Sequence, residues 1–362
     1  MIDERLLRSE ERVVLTLRDL YRRHGYACFK MSKFEEYDLY GQNKDFLVSD
    51  SVITFTDTDG KLMALKPDVT LSIVKNHRDG TEQRVYYDEN VYRISKSTHN
   101  YRELLQTGLE AMGRLSEFDL TEVAELAAQS LAAVSPDAVL TLSDLGVLNA
   151  ALAPVESGEQ RAALLGCLQR KNAHGISELC RTFGLGTGIG ERLALLAQSG
   201  TTEIPDALWR QFADGPAAEA LTRLERIAER VRKSTPVRIT FDFSLVSDMN
   251  YYNGIVFRGY LRGIPAPVLR GGQYDKLMQK LGKSDGAIGF AVYLDLLERL
   301  TETDPYDADV LLLYAPDAPV EAVRAEAEAL RAAGKSVCAR VNEPEGMRFR
   351  EILRAEGGGK ND

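Results

Sequence analysis

The chain has 362 residues, of which 44% are hydrophobic and 27% charged, so it is long enough for two or three compact domains with their own cores. Its formal net charge of -9 argues against nucleic-acid binding as a primary role, because such binders neutralise phosphates with lysine and arginine. A local basic patch can still coexist with an acidic total. The charged N-terminus and the lack of a long apolar run argue against a secretory signal and a membrane span.

The four cysteines, Cys28, Cys167, Cys180 and Cys338, are widely scattered and show no paired spacing. This pattern predicts neither a disulfide framework nor a zinc site, and it fits a reducing compartment. We therefore expect a cytoplasmic protein that holds no metal and no cofactor.

The first part of the chain mixes helix and strand signals. Apolar residues at helical spacing predict a helix over residues 3–23, which Gly25 ends. Short runs between polar or Gly-containing breaks predict antiparallel strands over residues 52–55, 62–65, 84–87 and 91–94. A helix over residues 67–76 is predicted between the second and the third of these strands.

The run LLQTGLEAM, residues 104–112, is a strand candidate with an unusual side. Alternation places Gln106, Gly108 and Glu110 on one side and mostly apolar residues on the other. Gln, Gly and Glu in alternation suit the bottom of a pocket. The alternative is an edge strand with one solvent-facing side.

The middle of the chain reads as helical. Two helices and a strand over residues 139–143 lead into a segment, 146–234, rich in Ala, Leu, Arg and Glu, with a break over 202–215 that contains Pro205. The run GLGTGIG, residues 184–190, does not fit the spacing G-x-G-x-x-G and follows a helix pattern. It predicts a flexible connection between helices and not a nucleotide loop.

Later signals return to a mixed pattern. They predict, in order, strands over residues 237–243 and 254–257, a turn at Gly271 and Gly272, a helix ending at Leu281 and a helix beginning near Gly286. From Asp309 the order strand, helix, strand predicts a short α/β unit. The Gly-rich tail is too polar to be ordered.

Four segments in the same order resemble histidyl-tRNA synthetase, a class II aminoacyl-tRNA synthetase. MALKPDVT, residues 63–70, is similar to the family's LRPE-x-T loop, which holds the amino group of histidine. VYRISKSTHNYRELLQTGLEAMG, residues 91–113, resembles the strand, loop and strand of class II motif two. MNYYNGIVF, residues 249–257, and GGQYDKLMQKLG, residues 271–282, resemble the two histidine-specific motifs.

The resemblance implies which residues would meet histidine and ATP. Arg93 matches an arginine that meets an ATP phosphate, and here it would be the remnant of an ATP site. The implied histidine-binding residues are Asp68, Thr70, Arg102, Gln106, Glu110, Tyr251, Tyr252 and Tyr274. A carboxylate at Glu110 is chemically suited to accept a hydrogen bond from an imidazole N–H.

The resemblance also implies an α+β fold: a class II synthetase-like antiparallel sheet flanked by helices. We expect this catalytic-type domain over residues 1–148 and 236–302, with a helical insertion over 149–235. A short C-terminal α/β unit over 306–356 and a disordered tail over 357–362 would follow.

Several charges that the synthetase reaction requires are missing. Ser247 replaces the arginine that opens the family's RGLDYY motif, and the neighbouring Asp248 and Asn250 also depart from it. Ser95 replaces an acidic residue of motif two, while Leu296 stands where motif three has its ATP-binding arginine, three residues before Arg299. Each lost contact typically costs about 10²- to 10³-fold in rate, so we expect no synthetase activity.

A synthetase-like pocket without the ATP machinery resembles the ATP phosphoribosyltransferase regulatory subunit family of histidine biosynthesis. That resemblance implies a non-catalytic chain that self-associates as a dimer and joins a short catalytic subunit, four of each. It would enable catalysis and mediate feedback by histidine. Two alternatives stay open: a divergent histidyl-tRNA synthetase or synthetase-like ATP-dependent enzyme, and an RNA-binding relic of a synthetase.

Overall fold

The computed structural model describes residues 7–44, 47, 52–95, 98–198, 200–246, 251–300 and 305–355, except for the side chains of 298–300. The chain divides into two compact units, Met1–Leu300 and Thr301–Asp362. Among the helices in these ranges, none is long and apolar enough to cross a membrane.

The described residues of the first unit form eleven strands in two sheets. In chain order they are β1 (Ala27–Cys28), β2 (Phe34–Glu36), β3 (Thr54–Thr56), β4 (Leu62–Leu65), β5 (Gln83–Ile94), β6 (Tyr101–Gly113), β7 (Val139–Asp144), β8 (Arg238–Phe241), β9 (Ile255–Tyr260), β10 (Leu269–Gln273) and β11 (Gly286–Tyr293). The large sheet has the order β1-β5-β6-β11-β10-β9-β7-β8, and β2, β4 and β3 form a small sheet. Only the β1–β5 and β7–β8 pairs of the large sheet are parallel.

Helices cover the large sheet. They are α1 (Ser9–Arg23), α2 (Tyr37–Gly41), α3 (Thr70–Asn76), α4 (Glu117–Val134), α5 (Leu145–Leu152), α6 (Gly158–Gln169), α7 (Ala173–Thr182), α8 (Thr187–Ala197), α9 (Asp206–Gln211), α10 (Gly215–Ser234) and α11 (Asp275–Lys280). A 3-10 helix, Leu294–Leu300, follows β11. The predicted α+β class is confirmed.

Two apolar clusters pack on the two faces of the large sheet. On one face α1, α4 and α10 contribute to the larger cluster, with Leu17, Leu131 and Leu224 fully buried. On the other face α3 and α11 contribute to the smaller cluster, which contains Tyr87 and Tyr274. The two faces of β6 therefore both meet protein.

Local signals explain the long helices. In α1 the residues Val14, Leu17 and Tyr21 are buried at helical spacing, and the Glu11 carboxylate accepts the backbone N–H of Arg8 at 2.9 Å. In α4, Ser116 and Asp119 form a reciprocal capping box at the N-terminus. Both helices thus satisfy N–H groups that the first turn leaves without helical partners.

Several sequence predictions are confirmed with shifted ends. The first helix ends at Arg23, although residues 3–6 of the prediction lie outside the described residues. The strand Leu62–Leu65 is as predicted, while the predicted strands 84–87 and 91–94 are parts of one long strand, β5. The strand containing Glu110 lies between β5 and β11, so the alternative of an edge strand is wrong.

Two predictions near the end of the first unit are wrong. Gly271 and Gly272 do not form a turn, because both lie inside β10. The helix predicted to begin near Gly286 is instead the strand β11. This strand is covered on both faces, and its run GAIGFAVY lacks the polar alternation that distinguishes a strand from a buried helix.

The helical segment differs in detail from its prediction. The predicted break over 202–215 contains α9, and Thr187–Gly190 of the predicted glycine-rich connection form the first turn of α8. Apolar residues of α5 to α10 belong to the same cluster as those of the sheet. The boundaries 149–235 for a separate insertion stay a prediction.

The part of the second unit that the structure describes, residues 305–355, is a small three-stranded parallel sheet with one helix. Its elements are β12 (Ala308–Leu313), α12 (Val320–Ala332), β13 (Val337–Arg340) and β14 (Phe349–Arg354), with the order β13-β12-β14. The predicted strand, helix and strand are present, and β14 was not predicted. The tail 357–362 lies outside the described residues.

The contact between α4 and β9 offers a direct test of the packing. A Cβ at Gly259 would lie 2.6 Å from Cδ2 of Leu131 and 2.9 Å from Cβ of Leu269. We expect Gly259→Ala to cost about 1–3 kcal/mol by overpacking and Leu131→Ala about 2–5 kcal/mol by cavity formation. Because the smaller side chain makes room for the added methyl group, the double variant should lose less than the sum.

Urea unfolding of the three variants measures this coupling. Gly158→Ala is the matched control, because a Cβ there meets nothing within 4 Å. Additive losses in the double variant would contradict the packing of Leu131 on Gly259.

Candidate functional site

A strip without side chains crosses the large sheet beside Glu110. Glu110 on β6 pairs with Gly289 on β11, which in turn pairs with Gly272 on β10. A Cβ at Gly289 would lie 1.6 Å from Oε2 of Glu110, and one at Gly272 would lie 2.8 Å from Cδ1 of Tyr252. The two glycines therefore let the Glu110 carboxyl and the Tyr252 ring lie close against the sheet.

Two hydroxyl groups hold the carboxyl of Glu110. Thr70 Oγ1 donates to Oε1 at 2.9 Å, and Tyr274 Oη donates to Oε2 at 2.6 Å. Thr70 is the first residue of α3, and Tyr274 immediately precedes α11. Three separate stretches of chain thus converge on one carboxyl group, which is only 2% exposed.

Burial dominates the protonation of this group. The pKa of Glu110 is raised to about 8: burial and the charge of Asp68 raise it, while the hydrogen bonds from Tyr274 and Thr70 lower it. At neutral pH the carboxyl is therefore mainly protonated. A positively charged group placed beside it would favour ionisation.

The loop before α3 places Asp68 close to the same region. Asp68 Oδ1 accepts the N–H of Leu71 at 2.9 Å. Burial raises the pKa of Asp68, whereas the N–H of Leu71 and the charge of Arg93 lower it. Arg93 Nε donates to the Pro67 carbonyl at 3.0 Å, so this arginine binds the loop.

Lys66 fixes the other end of this loop. It is fully buried and forms an ion pair with Glu89 of β5. Its carbonyl oxygen accepts the N–H of Tyr92 at 2.9 Å. The backbone that carries Asp68 is therefore held against β5 by a charge and by main-chain bonds.

Tyrosine rings surround the carboxyl. The Tyr251 ring lies 4.7 Å from that of Tyr252 and 5.8 Å from that of Tyr274, centroid to centroid. Burial raises the pKa of Tyr87, Tyr251 and Tyr274 well above the usual value, and the charge of Glu110 adds to this effect. These hydroxyl groups therefore stay protonated. We call Asp68, Thr70, Glu110, Tyr251 and Tyr274 the Glu110 cluster.

Gln106 lies four residues before Glu110 on β6, so both side chains are on the same side of the strand. It is 3% exposed, and its Nε2 has no hydrogen-bond partner among the described residues. A buried amide donor without a partner is costly. A bound ligand could supply the missing acceptor.

Arg102 does not belong to this cluster. It lies eight positions before Glu110 on β6, which corresponds to about 26 Å of extended strand. Its side chain is 55% exposed and forms an ion pair of 3.5 Å with Asp295 of the 3-10 helix. A ligand as small as histidine could not contact Arg102 and Glu110 together.

The residues expected to mark lost ATP contacts are only partly described. Leu296 packs against the larger apolar cluster. Ser95 donates its N–H to the Asn100 carbonyl at 2.9 Å, within the hairpin between β5 and β6. Ser247, Asp248, Asn250 and the side chain of Arg299 lie outside the described residues.

Four residues at this site were not predicted: Lys66, Tyr87, Gly272 and Gly289. Tyr87 pairs directly with Gly108 across the β5–β6 ladder, and a Cβ at Gly108 would lie 2.7 Å from its hydroxyl. Alternation along β5 together with a strand register would have revealed Tyr87. The two glycines could have been found only from the pairing of β6, β11 and β10.

The raised pKa of Glu110 predicts how stability depends on pH. The folded state keeps this proton to about pH 8, whereas the unfolded chain releases it near the ordinary value of 4.5. Between these values the folded state binds more protons, so its stability falls as pH rises. The free energy of unfolding of the wild type should fall by on the order of a few kcal/mol between pH 5 and pH 8, and Glu110→Gln should not show this fall.

Urea unfolding of wild type and Glu110→Gln across this pH range tests the prediction. The exposed Glu229→Gln provides the matched control and should follow wild type. Parallel pH profiles for wild type and Glu110→Gln would show that Glu110 titrates normally.

Comparison with known proteins places the chain in a family. The sequence profile of histidyl-tRNA synthetase matches residues 2–297. An ATP phosphoribosyltransferase regulatory subunit from Cupriavidus necator is 30% identical over 347 residues, covering 92% of this chain and 88% of that protein.

Two solved structures share the fold. A protein from Bacillus halodurans, described as an ATP phosphoribosyltransferase regulatory subunit/histidyl-tRNA synthetase, has a TM-score of 0.75 at 24% identity, over 96% of this chain and 93% of that chain. A chain of an ATP phosphoribosyltransferase complex from Thermotoga maritima has a TM-score of 0.62 at 18% identity, over 81% of this chain and 98% of that chain. These likenesses confirm the class II synthetase-like fold. The chain therefore belongs to the histidyl-tRNA synthetase family and, within it, to the ATP phosphoribosyltransferase regulatory subunits.

Proposed function

We propose that this regulatory subunit, which is not itself catalytic, binds histidine at the Glu110 cluster and transmits its presence to the catalytic subunit of ATP phosphoribosyltransferase. The observation that supports this most is the buried Glu110 carboxyl held by Thr70 and Tyr274. An acidic, hydroxyl-rich group at the sheet surface suits a small ligand that carries cationic N–H donors. Histidine supplies such donors in its ammonium group and its imidazole.

The chemistry of the cluster fits histidine in three respects. Asp68 and Glu110 offer carboxyl oxygens to the ammonium and imidazole N–H groups. Tyr251 and Tyr252 present ring surfaces to a planar ring. The unpartnered Nε2 of Gln106 is a donor that could meet the carboxylate of the ligand.

We also propose an assembly of four regulatory and four catalytic subunits in the cytoplasm, built on dimers of this chain. The small sheet supports self-association, because its aromatic residues Phe34 and Phe55 are 47% and 38% exposed. Their rings lie 5.3 Å apart in an edge-to-face arrangement. Two exposed rings in contact offer apolar surface that a second copy of this chain could cover.

The competing function is that of a divergent synthetase or another ATP-dependent enzyme. Such an enzyme would catalyse exchange of pyrophosphate into ATP in the presence of histidine, even if slowly. We expect no exchange above background from the purified chain. An RNA-binding relic would instead retain tRNA in a salt-sensitive manner.

The function is tested by adding the chain to a short-form ATP phosphoribosyltransferase catalytic subunit and measuring turnover with and without histidine. We expect activation by the chain and inhibition of the activated complex by histidine. Failure to activate would contradict the proposed regulatory role for this chain.

The location of the histidine site is tested separately with Glu110→Gln. Loss of a hydrogen bond to a charged group costs about 1.5–3 kcal/mol, so histidine should bind about 10- to 150-fold more weakly by calorimetry. The variant should still activate the catalytic subunit but lose much of its sensitivity to histidine. Glu229→Gln is the control, and unchanged affinity in Glu110→Gln would place the effector site elsewhere.

A further inference from the structure

A second polar cluster lies where two loops of the first unit meet, away from Glu110. It contains His77, which follows α3, Asp79 two residues later, and Asp285, which precedes β11. His77 and Asp285 are only 2% and 8% exposed, while Asp79 is exposed. One nitrogen or oxygen atom from each residue lies within 4.8 Å of the others.

Both ring nitrogens of His77 face oxygen atoms. Nδ1 lies 2.9 Å from Oε1 of Gln83, and Nε2 lies 2.9 Å from Oδ2 of Asp285. A neutral imidazole carries only one N–H. If Nδ1–H is donated to Gln83, the lone pair of Nε2 lies beside a carboxylate, an arrangement that a cation bound to both atoms would stabilise.

The geometry matches two neighbouring ligands of one metal ion. In octahedral coordination, neighbouring ligand atoms about 2.1 Å from an ion are at right angles to each other and about 3.0 Å apart. The contact of 2.9 Å between Nε2 and Oδ2 has this length. A histidine ligand usually donates its other N–H to a carbonyl or carboxylate oxygen, which is the position of Gln83.

Asp79 can complete the set of protein ligands. Its Oδ1 accepts the N–H groups of Ser284 at 2.8 Å and Asp285 at 3.2 Å, and its Oδ2 accepts the Ser284 hydroxyl at 2.8 Å. The Gly80 N–H donates to Asp285 Oδ2 at 2.7 Å. Carboxylate oxygens have lone pairs beyond these bonds, and the exposure of Asp79 leaves room for water as a further ligand.

We propose that His77, Asp79 and Asp285 bind a divalent first-row transition metal of the zinc or manganese type, with Gln83 as the positioning residue for His77. One imidazole and two carboxylates form the mixed nitrogen and oxygen set that such ions accept. The nearby Lys283 ammonium is directed to the backbone, where it donates to the His77 carbonyl at 2.8 Å.

Two stretches of chain connect the proposed metal site to the Glu110 cluster. The stretch from Thr70 to His77 is α3 and its last neighbour, and the stretch from Tyr274 to Asp285 contains α11. Each stretch holds the Glu110 carboxyl at one end and contributes a metal ligand at the other. A bound ion would therefore restrain both partners of Glu110 and stabilise the first unit.

The test uses the full chain freed of metal by a chelator and then titrated with Zn²⁺, with binding followed by calorimetry and stability by thermal unfolding. We expect one Zn²⁺ per chain and a rise in the unfolding temperature. His77→Gln and Asp79→Asn should each bind Zn²⁺ at least about 10-fold more weakly, and Gln83→Leu about 10- to 100-fold more weakly. Because Asp79 is exposed, Asp79→Asn should leave the buried packing intact.

Two control variants exclude adventitious binding. His174→Gln removes a histidine that is 81% exposed, and Cys28→Ser removes an exposed thiol, so both should bind Zn²⁺ like wild type. Mn²⁺, which binds thiols poorly, should bind the same site and be displaced by Zn²⁺. No stoichiometric binding, or affinity that Asp79→Asn and His77→Gln leave unchanged, would overturn the proposal.

Discussion

The site depends on one buried carboxyl group, that of Glu110, which must be satisfied by side chains from distant parts of the sequence. Burying a polar group without partners is costly, so Thr70 and Tyr274 have to reach it together. This requirement fixes the start of α3 and the start of α11 relative to the sheet. It also explains Gly289, since any side chain there would occupy the space of the carboxyl.

The histidine binding that we propose and the chemistry of a synthetase place different demands on the site. Amino-acid activation needs cations aimed at a triphosphate, and the resemblance to the synthetase motifs implies that Ser247 and Leu296 stand where a synthetase has two such arginines. Binding an amino acid needs only complementary hydrogen bonds and a fitting shape. A chain can therefore lose catalysis and keep recognition, which is the combination that an effector-binding subunit requires. In such a subunit, binding of the effector at one site changes the free energy at another, and this coupling is typically worth about 1 to 3 kcal/mol.

The sequence allowed the fold class and several members of the Glu110 cluster to be predicted, for reasons that particular residues illustrate. Alternation along β6 placed Gln106 and Glu110 on one side, and the structure confirms that side as buried. The predictions at β10 and β11 were wrong because contacts with other strands, and not the local sequence, determine the structure there. Gly271 and Gly272 are there because neighbouring side chains on both faces fill the space of a Cβ: Phe257 and Phe290 above Gly271, Tyr252 above Gly272. No local pattern carries that information.

Arg102 shows that a motif match does not by itself place a residue at the site. It matches the family's motif, but the fold does not bring it to the Glu110 cluster.

The most direct test of the account is a crystal structure of the chain soaked with histidine. We predict that the imidazole or ammonium nitrogen will lie within hydrogen-bond distance of the Glu110 carboxyl, close to Tyr251. Histidine bound at another surface, with no ligand atom near Glu110, Thr70 and Tyr274, would contradict the account.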